Sequence, residues 1–394
     1  MKSRGFLSRF SRVTTSGKFI SEIDGLRFIA IGIVVLFHIG ASAIFADPTG
    51  TLVGGRWLVY IVREGAHGVE LFFMISGFIL ALPFASHALK EKPQVNLRKY
   101  FLRRLTRLEP PYMLAMFLFF LMAVFLKREN WNELFPHLLA SLAYVHNLVY
   151  KAASPINDVA WSLEVEIQFY LLVPLLAGVF FIRRKWIRRG LVVAVSIVST
   201  VHAWLFIGPA DISYLTIVRF IQFFLLGFLL ADVYLTDWNS SPSMGFGWDV
   251  ISFLGWPLLF LVWNELDSSG IAGHASIWWG VISCSYPLIA FFLYLAAFRG
   301  PIFNRFFTNP WITTLGGMCY SIYLIHNHII GVIERATRHL AFTNSYVLNF
   351  AIESVIIIPA IVIASSIYFA LIEKPCMRSD WPQRAYARVL QFFM

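Results

Sequence analysis

Charge is scarce in this chain. Of its 394 residues only 14% are Asp, Glu, Lys or Arg, against about a quarter in soluble proteins. Mean hydropathy is +0.69 and 58% of the residues are hydrophobic. That balance excludes an ordinary soluble domain and leaves a polytopic membrane protein. Cysteine is nearly absent too. Cys284, Cys319 and Cys376 lie far apart, so neither a disulfide framework nor a metal-ligand spacing can be built from them. Acidic residues are the minority charge, 22 against 32 basic, giving a net charge of +10. This excess does not point to nucleic acid, because it is concentrated in short stretches between apolar runs, as expected of loops on the inner side of a membrane. No cleavable leader pattern is present; Lys2, Arg4, Arg9, Arg12 and Lys18 read as a retained basic cytosolic tail over 1–20.

What is present is a series of apolar runs of about 20 residues, the length that crosses a bilayer. They fall near 22–44, 66–86, 111–127, 160–182, 190–208, 214–236, 250–266, 275–298, 310–330 and 346–372. The expected fold is therefore all-α, about ten transmembrane helices with both termini cytosolic. A ten-helix core would occupy 21–375, followed by a cytosolic tail over 376–394. A shorter run, 133–150, is broken by Pro136, His137, His146 and Asn147. With ten spans, 23 Lys and Arg residues fall inside and seven outside. An eleventh span at 133–150 would turn eleven of the inner charges outward, which the inner-side preference for positive charge rejects. The segment 128–159 therefore reads as an outer stretch containing an amphipathic helix. No internal repeat or low-complexity tract is evident.

Ionisable residues inside these spans are functional candidates, because each costs several kcal/mol unless paired or facing a polar cavity. In the first span, Asp24-Gly25-Leu26-Arg27 is followed by an apolar run ending at His38. Arg27 and His38, eleven positions apart, fall on one helix face about 16 Å apart along the axis. Asp24 is placed to pair with Arg27 and orient that end of the helix. Arg104 and Arg107 share a helix face three residues apart, a geometry that suits one anion, since guanidinium forks bind phosphate bidentately. On position alone they read equally well as topology-setting charges or contacts to anionic lipid. Pro110 is expected to punctuate entry into the next span.

Ser162, Glu166 and Tyr170 recur every four residues on one face, with Glu164 directed elsewhere; the plainer reading is an interfacial aromatic belt. His326 and His328 lie about 200° apart around a helix, which argues against a shared metal and favours a cavity lining for His326. Under this topology His38, Glu70, Glu166, Arg219 and His326 occupy the outer halves of their spans. Glu70 and Arg219 can equally well pair locally or snorkel.

Together these stretches resemble the acyltransferase 3 family of integral membrane acyltransferases over about 20–375. The matching residues are Asp24-Gly25-Leu26-Arg27 with His38; Gly68-Val69-Glu70-Leu71-Phe72-Phe73 with Ile75-Ser76-Gly77-Phe78; and Arg103-Arg104 with Arg107 and Pro110. Further along come Trp161-Ser162-Leu163 with Val165-Glu166 and Gln168-Phe169-Tyr170, then Tyr320-Ser321-Ile322-Tyr323-Leu324-Ile325-His326, then Glu373-Lys374-Pro375. The resemblance implies a ten-span core and transfer of an acyl group from acyl-CoA to an acceptor that is often a cell-surface glycan. It also implies an essential histidine at His38 and a donor role for Arg104 and Arg107. Glu109, Glu164 and Ile167 depart from residues common in the family. Some members carry a fused extracytoplasmic hydrolase-like domain, for which this chain has no room.

The expected function is O-acyl transfer, with acetyl the foremost group, to a hydroxyl of a cell-surface or lipid-linked carbohydrate at the plasma (inner) membrane. Arg104 and Arg107, with Arg27, would hold the acyl-CoA; no metal is implied. His38 would be the general base, a neutral imidazole being suited to an alcohol acceptor; a covalent acyl-histidine fits as well. Glu166, His326 and Glu70 are the acceptor-binding candidates. Membrane lipids and a carbohydrate are the expected partners, nucleic acid is not, and the oligomeric state is open. The alternative is a transporter or exporter of a polar or lipid-linked solute, which buried charges and ten spans also fit. Against it, no inverted halves or paired broken helices are visible in the sequence.

Overall fold

The computed structural model describes residues 7, 10–12, 19–45, 55–208, 211–268, 277–337, 343, 345–378, 381 and 383. Most of the expected tails, including Lys2, Arg4, Arg9 and Lys18 and nearly all of 379–394, lie outside the described residues. In chain order the helices are α1 (Ser21–Phe45), α2 (Arg56–Arg63), α3 (Gly68–Lys90), α4 (Leu97–Phe125), α5 (Trp131–Leu142), α6 (His146–Tyr150), α7 (Trp161–Leu176) and α8 (Lys185–Phe206). There follow α9 (Ile217–Thr236), α10 (Phe246–Ser268), α11 (Ile277–Arg299), α12 (Pro301–Phe307), α13 (Pro310–Gly317), α14 (Cys319–Thr337), α15 (Tyr346–Tyr368) and α16 (Lys374–Cys376). The fold is all-α, as the composition requires.

Among the described residues, nine helical segments are long and apolar enough to cross a membrane, starting at Ser21, Trp57, Leu97, Asp158, Lys185, Ile217, Phe246, Gly280 and Tyr346. They account for nine of the ten expected spans. The tenth, 310–330, is not one helix. It breaks at Met318 into α13 and α14. Asn309 caps α13 through its side chain and Pro310 occupies the first turn, a strong start signal. Gly316-Gly317 then ends it. In α14, His326, Asn327 and His328 interrupt the apolar run, so the segment is less hydrophobic than its neighbours. The 133–150 stretch contains α5, only 12 residues long. At 1.5 Å per residue that is about 18 Å, too short for a bilayer core of about 30 Å.

Pro110 does not punctuate a span as expected. α4 runs unbroken through Pro110 and Pro111, and Arg104 and Arg107 lie on its flank rather than on a loop. Proline deprives the carbonyl four residues earlier of its donor. Here a substitute is supplied: Trp381 Nε1 donates to the Thr106 carbonyl at 2.8 Å. Nearby, Tyr320 donates to Leu108 at 2.9 Å and Tyr368 to Pro111 at 2.5 Å. Side chains of packed neighbours thus satisfy backbone groups that lipid could not.

α3 and α9 form the centre of the bundle. Phe73 and Phe169 both stack on Phe224, with ring centroids 4.7 and 4.0 Å apart. The backbones of the two helices touch at Gly77, where a Cβ would lie 2.1 Å from the Phe224 carbonyl oxygen. That oxygen belongs to backbone and cannot swing aside. Gly77→Ala should therefore destabilise the protein by about 1–3 kcal/mol, read as a lower melting temperature in detergent. Gly178→Ala, where a Cβ meets nothing within 4 Å, should leave it unchanged. At one end of α8 and α9, Arg188 and Arg189 both pair with Asp232, and Arg189 also reaches Asp237 at 2.8 Å. This network ties the helix ends together and lies outside the site described next.

Candidate active site

Asp24-Gly25-Leu26-Arg27 divides its labour along one turn of α1. Arg27 Nη1 donates to Asp24 Oδ1 at 2.5 Å. Gly25 faces α12 so closely that a Cβ would sit 2.3 Å from the Phe307 carbonyl oxygen. Leu26 is buried in the core. Arg27 is thereby fixed on the wall of a cavity of about 110 Å³.

The walls of that cavity bring together residues distant in sequence. Arg27 comes from α1, Ser76 from α3, Arg104 and Arg107 from α4, Ser162, Glu166 and Tyr170 from α7, Tyr320 and Tyr323 from α14, and Glu373 from the turn after α15. The four-residue spacing of Ser162, Glu166 and Tyr170 puts all three on the cavity side. Glu164 points away, as expected, and accepts from the Asn147 backbone N–H at 2.8 Å. Glu166 Oε1 accepts two hydroxyl hydrogen bonds, from Tyr170 and from Ser76, each at 2.6 Å. The Arg104 guanidinium lies 5.6 Å from the centre of the Tyr170 ring, within cation–π range. A single π-helical turn, Phe369–Glu373, joins α15 to α16. Glu373 at its end accepts from the Ser321 backbone N–H at 3.1 Å and from its hydroxyl at 2.5 Å. The Nε of Arg107 is buried with no hydrogen-bond partner, a costly state for a charged group unless a ligand completes it.

His38 is not on this cavity, whose lining includes Ser162 and Tyr323; the Tyr323 ring lies 5.9 Å from that of His326. The hydroxyls of Ser162 and Tyr323 are 2.8 Å apart, and Tyr323 also donates to the Val159 carbonyl at 2.9 Å. One turn further along α14, the rings of His38 and His326 meet edge to face, centroids 5.0 Å apart. His326 is fully buried. Its Nδ1 is 2.8 and 3.1 Å from the carbonyls of Tyr323 and Ile322. Carbonyls only accept, so the proton is on Nδ1. Nε2 is then a bare acceptor, and it has no hydrogen-bond partner. His38 is only half-buried, so of the two imidazoles it is the more accessible to a substrate.

The remaining candidates separate. Glu166, expected beside His38 in an outer half-span, instead shares the arginine cavity, because its face of α7 turns toward α3 and α4. Glu70 sits in another cluster, 3.2 Å from His67 Nδ1, with His67 stacked on Trp263. Arg219 lies 3.9 Å over the Tyr214 ring. His328 stacks on Phe119 at 3.5 Å. Among the described residues, no group of three or more His, Cys, Asp or Glu is arranged to hold a metal.

Several cavity residues carry no signal of their own in the sequence: Ser76, Tyr320, Tyr323 and Glu373 stand only within longer matching stretches. Arg12 had no local signal beyond its charge, yet it reaches the same cavity.

These features define an all-α integral membrane protein with a guanidinium-lined cavity near a histidine pair. The chain belongs to the acyltransferase 3 family, whose acyltransferase domain matches residues 20–370. It is 24% identical to the O-acetyltransferase OatA of Staphylococcus aureus (strain NCTC 8325 / PS 47), over 94% of this chain and 59% of that protein. It is 25% identical to a putative O-acetyltransferase of Staphylococcus aureus (strain COL), over 84% of this chain and 53% of the relative. With the peptidoglycan O-acetyltransferase OatA of Listeria monocytogenes serovar 1/2a (strain ATCC BAA-679 / EGD-e) identity is 28%, over 46% of this chain and 26% of the relative. The chain thus spans little more than half the length of the staphylococcal relatives. No solved structure matches it significantly.

Proposed function

We propose that this protein is a plasma-membrane O-acetyltransferase that takes the acetyl group of acetyl-CoA from the cytosolic side. It passes the group to a hydroxyl of a cell-surface or lipid-linked carbohydrate. The observation that carries this reading is an arginine-lined cavity with a hydroxyl pair on its wall and, packed on Tyr323, the His326–His38 pair. A phosphorylated donor explains the arginines better than a transported uncharged solute does. The relatives' names support acetyl as the group and a glycan as the acceptor. The split of 23 basic residues against seven supports cytosolic termini and a cytosolic mouth for the cavity.

Arg104 and Arg107 would grip the donor's phosphates, with Arg27 steadied by Asp24 beside them. The flexible pantetheine arm would carry the thioester past Ser162 and Tyr323 to His38. Neutral His38 accepts the hydroxyl proton as the acceptor oxygen attacks the thioester carbonyl. The new C–O bond forms, the C–S bond breaks, and the imidazolium returns the proton to the departing CoA sulfur. His326, fixed on two carbonyls, would hold the His38 ring in place.

Sealed vesicles of known orientation test this. With acetyl-CoA confined to the cytosolic face and a glycan acceptor to the other, acetylated product should form on the acceptor side. Transfer only when both substrates share the cytosolic face would refute the two-sided route. No transfer from acetyl-CoA to any hydroxyl acceptor would refute the donor.

A further inference from the structure

The guanidinium groups on the cavity number four, not three. Arg12, from the segment preceding α1, lines it with Arg27, Arg104 and Arg107. Its side chain is only 11% exposed, although it belongs to what the sequence presents as a solvated basic tail. Phe10, two residues earlier, packs against the hydrophobic core. At Gly317 a Cβ would come within 3.6 Å of the Arg12 Cβ, so Arg12 lies directly on the end of α13. With Phe10 on the core and Arg12 on α13, the Arg12 guanidinium reaches the cavity wall.

The charges around Arg12 do not balance it. Its ion-pair contact is Asp24 Oδ1 at 3.7 Å, and that oxygen is already engaged by Arg27 at 2.5 Å. The Arg12 Nε is buried with no hydrogen-bond partner. Burial, and then repulsion from Arg27, push the Arg12 guanidinium down to about 9. Among the described residues four arginines and two carboxylates, Glu166 and Glu373, line the cavity; Asp24 stands beside Arg27, and Glu166 Oε1 already accepts from two hydroxyls. A buried cation surplus with unspent donors is a site waiting for an anion. The orphaned nitrogens of Arg12 and Arg107 mark where that anion would be gripped.

We infer that Arg12 is a donor-binding residue, its guanidinium contacting a phosphate of acyl-CoA opposite Arg104 and Arg107. This inference rests on the CoA reading above. CoA carries a pyrophosphate and a ribose phosphate, more anionic oxygens than the α4 pair alone can engage. The N-terminal segment is on this view part of the active site and not only a topology signal.

The test is CoA binding to the full chain in nanodiscs of neutral lipid, by calorimetry, with wild type, Arg12→Ala and Arg12→Lys. Arg12→Ala should weaken CoA roughly ten- to a hundredfold, the usual effect of losing one charge-assisted contact. Arg12→Lys should recover part of the loss, a point charge replacing a fork. Lowering the number of phosphates, with 3′-dephospho-CoA, should shrink the difference between wild type and Arg12→Ala if the ribose phosphate is the partner. It should leave that difference intact if the pyrophosphate is. An unchanged CoA dissociation constant in Arg12→Ala, with a lowered melting temperature of the unliganded protein, would show a structural pin and overturn the inference. Should Arg12→Ala fail to fold, Arg12→Lys decides by the same measure: weakened binding supports a phosphate contact, and wild-type affinity overturns it. Wild-type protein that binds no CoA removes the donor reading itself. Wild-type binding with unchanged variants removes Arg12 alone.

Discussion

His38→Ala should reduce acetyl transfer by about 10²- to 10⁴-fold, the usual contribution of a positioned general base, while CoA affinity stays near wild type. Affinity should hold because His38 does not line the cavity that holds the arginines. His326→Ala should be milder. It removes the ring packed edge-on against His38 but leaves a base in place. The measurement is initial rate with purified protein and a glycan acceptor, alongside a CoA titration. Wild-type turnover in His38→Ala would take the catalytic role away from α1. A loss of CoA binding of the same size as the loss of rate would mean that the histidine shapes the fold instead.

The second large effect concerns Arg104 and Arg107. Double alanine replacement should abolish measurable CoA binding, since each charge-assisted contact is worth about 1.5–3 kcal/mol. The two single Arg→Lys variants should differ. Arg104 rests against the Tyr170 ring, and lysine retains some of that cation–π attraction. Arg107 has a buried Nε without a partner, and lysine cannot place a donor at that point. Arg107→Lys should therefore weaken CoA more than Arg104→Lys. Unchanged affinity in the double alanine variant would reduce these arginines to topology markers.

Much of this site was legible in the sequence because helical periodicity survives in a membrane. The three-residue spacing of Arg104 and Arg107 and the four-residue spacing of Ser162, Glu166 and Tyr170 each predicted a shared face, and each face lines the cavity. Asp24 and Arg27 pair as their spacing suggested. What periodicity does not encode is which neighbour a face meets. Glu166 therefore lies with the arginines and Glu70 beside His67, placements that spacing alone does not give. Proline was misread for a related reason. The rule that proline ends a helix assumes that its orphaned carbonyl finds no donor, and here Trp381, from far along the chain, provides one. Arg12 was invisible because nothing local distinguishes a tail arginine that folds back from one that faces water. The break at Met318 hid inside a run whose total length looked sufficient for one span.

The Ser162–Tyr323 contact has a consequence for the cell's energetics. In a membrane that stores a proton gradient, any imidazole reachable by water from both faces at once would short-circuit it. With the thioester entering from the cytosol and the sugar from outside, as proposed, the enzyme needs a partition that yields to a slender pantetheine arm and shuts against a hydrated proton. A tyrosine latched to a serine hydroxyl and a backbone carbonyl suits that task. It costs two hydrogen bonds to open, and an entering thioester can offset that cost through its own contacts with the cavity wall. Substrate occupancy would then couple opening to turnover, and the idle enzyme would stay electrically silent.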